Sequence, residues 1–579
     1  MEVLFRDSDD YFKQGGLLKE SDKKDFRLTK ILKNPFFMLT FITTVITFYL
    51  LEKQMFIGVP YYDVFVYLNN ALIFAGIPVG NMSVIYLSPL MPLLTSLVFR
   101  AGYISENVIF IMDGFIFVFG IIGLYLLFKE RFNEIQSFTG CLIFLSFPLI
   151  FAWAVSGGID VPGVSFSIWT IYMLVLGVKK DKKFLYLVFP LFMVAFLTRY
   201  TSVILIFPII LYLLLNKDLI QNMKRIGMGL LAGLVVVSPF LVYVYNKLGN
   251  MNPFLNIFTS TLLGSGATVN DLGYNPVKLF FLNNILNYIS TSPLQGIYGY
   301  IQSPHRGYPS ILSYIIAIIA SIGLGIYLYQ IYQAKIGKFK VSHRNKTILH
   351  LTIIILLTFL GIWSFFTSSY LVTELIFLGF LYAGYRFFID TPVKNIRIDF
   401  LFLSWFIAFF IFHSIIPLKE DRYFITMSPA LAYFIILGLS TFIEKFKYKI
   451  KNQHMKTYGM YLTVGLLLLS YTTAEYAGHV TQEGYGFYIG LTCDWLKEYD
   501  PHYQDKVIYS NYDPAVTWYL KKNVKFGVPR LYVNSEAFSN YLKAGKADYY
   551  VDAYSTSPPI PGYHIIKNIE TVSVYERDY

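Results

Sequence analysis

Residues 34–63 read Asn-Pro-Phe-Phe-Met-Leu-Thr-Phe-Ile-Thr-Thr-Val-Ile-Thr-Phe-Tyr-Leu-Leu-Glu-Lys-Gln-Met-Phe-Ile-Gly-Val-Pro-Tyr-Tyr-Asp. The apolar run at 36–55 is long enough for a helix to cross the hydrocarbon of a bilayer. Gly58 and Pro60 then bend the chain, and Asp63 stands where it leaves the membrane. A carboxylate at that position is costly unless it does chemistry. The stretch therefore predicts a membrane span with a functional group at its exit.

The rest of the chain repeats the first half of that pattern. It has 579 residues, 55% hydrophobic and 15% charged, where soluble domains are nearer a quarter charged. Apolar runs recur from 36 to 475, separated by short Lys-rich loops, and predict a polytopic α-helical membrane protein of about 13 spans. They lie at 36–55, 107–128, 137–153, 162–178, 184–198, 201–215, 226–245, 311–332, 347–367, 370–388, 400–416, 424–443 and 457–475. Only Thr198-Arg199-Tyr200-Thr201 divides 184–198 from 201–215, so that pair also reads as one kinked helix.

The net charge of +12 is distributed over these loops, which removes the case for a nucleic-acid partner. Lys and Arg are several-fold more abundant in one alternating set of loops than in the other. Because cationic loops resist translocation, residues 1–35 are expected in the cytosol and residues 476–579 outside the cell membrane. The mixed charges of 1–35 are unlike a cleaved signal, and the first span reads as a retained anchor. Two cysteines, Cys141 and Cys493, exclude a Cys-only zinc site and argue against an intrachain disulfide.

Two outer loops are long. The first, 56–106, contains amphipathic stretches at about 62–75 and 85–100, expected to lie in the membrane interface. The second, 246–310, is rich in Gly, Asn, Ser, Pro and Tyr. Beyond the membrane region (36–475) the apolar runs shorten to strand length at 506–510, 530–534, 547–552 and 571–575, with helical stretches at about 513–522 and 535–545. Residues 476–579 thus predict a small α/β domain, without a Gly-rich phosphate loop.

On the outer side this topology gathers Asp63, Asp160 in Ser-Gly-Gly-Ile-Asp-Val-Pro (156–162), Arg199, and Pro-Leu-Lys-Glu-Asp-Arg-Tyr-Phe (417–424). Each has a plainer reading. Asp160 suits a helix N-terminus, Arg199 could snorkel to headgroups, and Lys419–Arg422 could be a solvated charge cluster. Asp113 and Glu374 sit within spans, where burial needs partners, and His413 on an apolar span reads as a packed histidine before a metal ligand. With His305 it is one of few outer-half histidines, and carboxylates alone leave a divalent cation open.

Taken in order, Asp63, Tyr67-x-x-x-Ala71 with Gly76, Tyr86-Leu-Ser-Pro-Leu-Met-Pro92, Asp160-x-Pro162, Phe196-Leu-Thr-Arg-Tyr200 with Pro208, and Lys419-Glu-Asp-Arg-Tyr423 with Pro429 resemble the integral membrane glycosyltransferases of the GT-C fold. The likeness is to protein O-mannosyltransferases and aminoarabinose transferases, over 36–215 and again over 417–443. It departs from the first in having Val64 where an Asp-Glu pair is usual. Leu418 replaces the His of a related signature of lipid-linked mannosyltransferases, and no Trp-Trp-Asp triplet of oligosaccharyltransferases occurs.

The resemblance implies transfer of a sugar, such as the hexose mannose, from a polyprenyl-phosphate donor to a protein, lipid or glycan acceptor. Under it Asp63 is the candidate general base and Asp160 a catalytic positioner. Arg199 and Arg422 bind the donor phosphate, with Lys419 and Tyr423 beside them. The rival class is a secondary transporter or lipid flippase. Such proteins tend to show internal repeats and broken midplane helices; this sequence has no convincing internal repeat, and its candidate charges sit at the outer rim.

Overall fold

The structure is a computed structural model, and it describes residues 34–59, 61–77, 79, 87–217, 222–252, 254–256, 259, 274–292, 304–336, 344–389, 395–446, 453–479, 485–554 and 557–578. The N-terminal segment to residue 33, Pro60, Tyr86 and much of the loop 246–310 lie outside the described residues.

Among the described residues, 9 helices are long and apolar enough to cross a membrane. The first, Pro35–Ile57, opens with Pro at its first position and Asn34 as N-cap, whose side chain accepts from Phe36 N at 3.0 Å. It ends at Gly58 with φ 75°, a conformation that favours glycine. The other four expected spans are also helical but shorter or more polar. Residues 137–153 form Glu134–Leu145 and Pro148–Trp153, broken at the proline. The 184–215 region is neither two clean spans nor one: Leu185–Thr198 stops at Arg199, which is extended (φ −150°, ψ 114°), and a 3-10 turn (Tyr200–Leu205) leads into Ile206–Leu215. The last is Gln453–His479.

Burial separates an inner bundle from an outer layer. Asp160–Lys179, Ile396–Ile415 and Ser428–Phe446 are mostly buried, whereas the apolar stretch of Ile348–Thr367 is only 17% buried and turns the rest outward. Gly323 and Gly438 let their two helices cross backbone against backbone, since a Cβ on either would collide with main chain of the other helix.

Residues 485–578 form the expected α/β unit. Its five-stranded sheet runs Lys525–Phe526, Ile508–Ser510, Tyr549–Asp552, Val572–Arg577, Tyr563–Ile569. The first three strands are parallel and the last two antiparallel. The helices Asp513–Leu520 and Ser535–Ala544 lie between the parallel strands in sequence. One expectation fails here. The stretch 530–534 is not a strand: Pro529, which has no N–H to give a ladder, opens a 3-10 turn, and Val533 is 98% exposed. The edge position belongs to Lys525–Phe526, and the strand Tyr563–Ile569 has no counterpart in the sequence reading.

The amphipathic stretches of the first long loop are helices, Tyr62–Ala75 and Leu90–Arg100. Instead of lying free in an interface, Tyr62–Ala75 is almost wholly buried beneath the α/β domain. Asn69 Nδ2 donates to Pro514 O at 2.9 Å, Phe65 meets the rings of Tyr512 and Tyr519, and Phe99 stacks on Trp518 at 5.9 Å. These two helices are the platform that carries the domain over the site.

Candidate active site

The geometry that sets the site starts at helix ends. Asp63 is in the first turn of Tyr62–Ala75, where a helix N-terminus favours a carboxylate. Arg422 lies in the 3-10 turn Asp421–Thr426 that breaks the chain before Ser428–Phe446. The two meet: Arg422 Nη1 donates to Asp63 Oδ2 at 2.8 Å. The pair is part-buried, with side chains 23% and 39% exposed. Arg422 also lies 5.5 Å from the Trp153 ring, which covers one face of its guanidinium.

A second pair lies behind the first. Asp160, the first residue of its helix, forms an ion pair with Arg199, and both are almost fully buried. The extended backbone of Arg199 breaks the helical run at this level, and Gly163 leaves room for its stem, since a Cβ there would sit 2.9 Å from Arg199 Cβ. Arg199 Nε also donates to Thr201 Oγ1 at 2.8 Å. The ring of Tyr423 joins the pairs, with the Arg199 and Arg422 guanidinium carbons 5.5 Å and 5.9 Å from its centre.

The structure thus brings Asp63, Asp160, Arg199, Arg422 and Tyr423 into one cluster. Lys419 is set apart. Its ammonium donates to His413 O at 2.8 Å, to Ser414 O at 3.0 Å and to Ile416 O. It thereby caps carbonyls at the C-terminal end of Ile396–Ile415 that have no helical partner. Burial, with Lys278 adding, pulls its pKa down to about 7. The expected substrate contact from Lys419 is therefore replaced by a structural one: three carbonyls take all three of its N–H donors.

The neighbouring Asp421 is fully buried and accepts from Tyr288 Oη at 2.6 Å, with His305 Nδ1 at 2.7 Å from its other oxygen. These contacts, with Asn275 N donating to Pro417 O at 2.7 Å, clamp the second long loop onto the segment that bears Arg422. His413 stacks on Tyr423 at 5.1 Å and lies 3.2 Å from Thr426 Oγ1, the packed-histidine arrangement. Asp113 accepts from Gly157 N at 2.8 Å, bracing the turn before Asp160. Gly157 has φ 82°, and a side chain there would meet Val64 at 2.7 Å. Among the described residues no three His, Cys, Asp or Glu side chains converge as a metal site.

A cavity of about 740 Å³ opens beside the Asp63–Arg422 pair. One wall is the membrane domain: Tyr61, Tyr62, Asp63, Trp153, Glu420 and Arg422. The opposite wall is the α/β domain, including Tyr512, Phe526, Arg530, Tyr532 and Tyr554. The buried Asp160–Arg199 pair does not line it. Glu420 is a second carboxylate on this wall, and burial raises its pKa, with Arg422 opposing the rise. The sequence placed Glu420 within a charged segment without separating it from its neighbours. Trp153 carried no signal beyond ending an apolar run.

The comparisons with known proteins agree with this architecture. The sequence profile of dolichyl-phosphate-mannose-protein mannosyltransferases matches residues 87–243. ArnT from Cupriavidus metallidurans, solved bound to undecaprenyl phosphate, superposes with a TM-score of 0.53 at 11% identity, over 93% of this chain and 97% of that one. Its apo structure gives 0.53 at 13% identity over the same shares. The Archaeoglobus fulgidus oligosaccharyltransferase tethered to an acceptor peptide gives 0.50 at 10% identity, over 90% of this chain and 69% of that one. No curated protein matches the sequence. Together these likenesses define the fold, a polytopic membrane protein of the GT-C fold, and the mannosyltransferase profile matches it over residues 87–243.

Proposed function

We propose that this protein transfers a sugar, such as the hexose mannose, from a polyprenyl-phosphate carrier to a hydroxyl of a protein, lipid or glycan acceptor on the extracytoplasmic face. The observation that carries the reading is the Asp63–Arg422 pair, part-exposed on a 740 Å³ cavity where membrane helices end beneath a folded domain. A lipid-linked donor keeps its tail in the bilayer and presents its phosphate at the level of such helix ends. The ArnT structure with undecaprenyl phosphate supports a carrier of this kind.

In the reaction the acceptor oxygen bonds to the anomeric carbon as the bond from that carbon to the phosphate oxygen breaks. The leaving phosphate gains negative charge, so a fixed guanidinium stabilises the transition state more than the ground state. Arg422 is placed for this, its planar fork suiting phosphate oxygens. When phosphate takes Arg422, Asp63 is released to accept the acceptor's proton. Asp160 and Arg199 act from behind, holding Tyr423 and hence Arg422 in position.

The test is single-turnover transfer from labelled polyprenyl-phosphate hexoses by protein in nanodiscs. Asp63→Asn keeps the size and loses the proton acceptor, so turnover should fall by about 10²–10⁴-fold while donor binding persists. An Asp63→Asn protein as fast as wild type would remove the assigned base.

A further inference from the structure

Resting on the transferase reading, we infer that the α/β domain supplies an acceptor subsite for a saccharide bearing an anionic group. The cavity wall facing Asp63 and Glu420 carries the features that such a molecule needs. Phe526 and Tyr554 are 48% and 37% exposed although both line the cavity. Neighbouring rings hold this wall: Tyr532 packs on Tyr541 at 5.1 Å, and Tyr554 meets Tyr512 edge-on at 5.9 Å. A pyranose presents a face of C–H groups that such rings can cover and a rim of hydroxyls for polar groups.

Arg530 decides the charge. It lies on the same wall, exposed, in the 3-10 turn that replaces the expected strand. Among the described residues it has no ion pair, whereas Arg422 across the cavity is taken by Asp63. An acceptor's carboxylate or phosphate is thus repelled by Asp63 and Glu420 and drawn to Arg530. That polarity points the uncharged end, with its hydroxyl, at the carboxylates. Donor phosphate does not compete for Arg530, because the carrier's tail keeps that phosphate at the membrane helix ends. A cavity of 740 Å³ is within the roughly 300–1,000 Å³ range of pockets that enclose whole ligands, room for a sugar headgroup and an acceptor together.

The experiment applies the purified full-length protein in nanodiscs to an array of neutral, uronate-containing and phosphorylated oligosaccharides and acidic peptides. Wild type should be retained on one or both acidic saccharide sets over the neutral ones. Arg530→Gln should lower that retention by about tenfold or more, the size of a lost charged hydrogen bond. Phe526→Ala should lower it too, and Arg530→Lys should restore part. Both wall variants should still bind undecaprenyl phosphate.

Retention on peptides alone, equal retention on neutral saccharides, or unchanged binding by Arg530→Gln would overturn the inference. Donor-dependent transfer without saccharide retention sinks the subsite alone. Retention without transfer from any polyprenyl-phosphate sugar sinks the transferase reading alone.

Discussion

At the residue scale the site depends on which charged groups face the cavity and which are spent on structure. Asp63, Glu420 and Arg422 line it, Lys419 is used up by three carbonyls, and Asp160 and Arg199 are sealed behind Tyr423. Glu420 has a testable signature. Burial raises its pKa above the ordinary 4.5. For a raised pKa the stability contribution is intact below the unfolded value and is lost as pH rises through the folded one. Glu420→Gln, always neutral, should therefore melt above wild type at about pH 8 and converge with it near pH 4. Thermal unfolding at the two pH values checks this, and an unchanged gap between them would show that burial does not govern Glu420.

Among the elements, the helix Tyr62–Ala75 links the two domains. Its first turn carries Asp63, and its buried face carries Asn69 and Phe65 against the α/β domain. Tyr62 Oη donates to Asp513 Oδ1 at 3.3 Å across the same junction. Burial pushes the Asp513 pKa up to about 6, against the lowering effect of the Tyr62 bond. By the same sign, docking is fully favoured below the unfolded pKa of about 4 and weakens as pH rises through about 6. Hydrogen exchange in Tyr62–Ala75 should therefore quicken from about pH 5 to pH 8 beyond its intrinsic pH dependence. In Asp513→Asn that excess should vanish, and an equal excess in both proteins would place the titration elsewhere.

For the whole molecule, the cluster of Asp63, Arg422 and their cavity shares one side with the α/β domain. The loop charges lead us to propose that this side faces outside. Cys493 cannot report on it, being buried at 1% exposure. Val533, 98% exposed on the turn beside the cavity wall, can. With both native cysteines buried, Val533→Cys should react with a membrane-impermeant maleimide in intact cells. Reaction only after permeabilisation would invert the topology and move the proposed chemistry to the cytosolic face.

The sequence by itself determined the membrane class, because apolar runs long enough to span hydrocarbon have few other solutions. It also determined which charged residues share one side, since alternation and loop charge assign sides without coordinates. It located the interruption at Arg199, where an isolated cation divides an apolar run, but not the one at Pro148, inside the expected span 137–153. Only the tertiary structure decided which of those charges meet. Asp63 and Arg422 are 359 residues apart and touch, while Lys419, three residues from Arg422, turns to carbonyls. Nor could periodicity show that the interfacial helices carry a domain or that Arg530–Asn534 leaves the sheet to line the cavity. Periodicity reports which face of an element is apolar; the partner that covers that face comes from distant parts of the chain, brought together by packing.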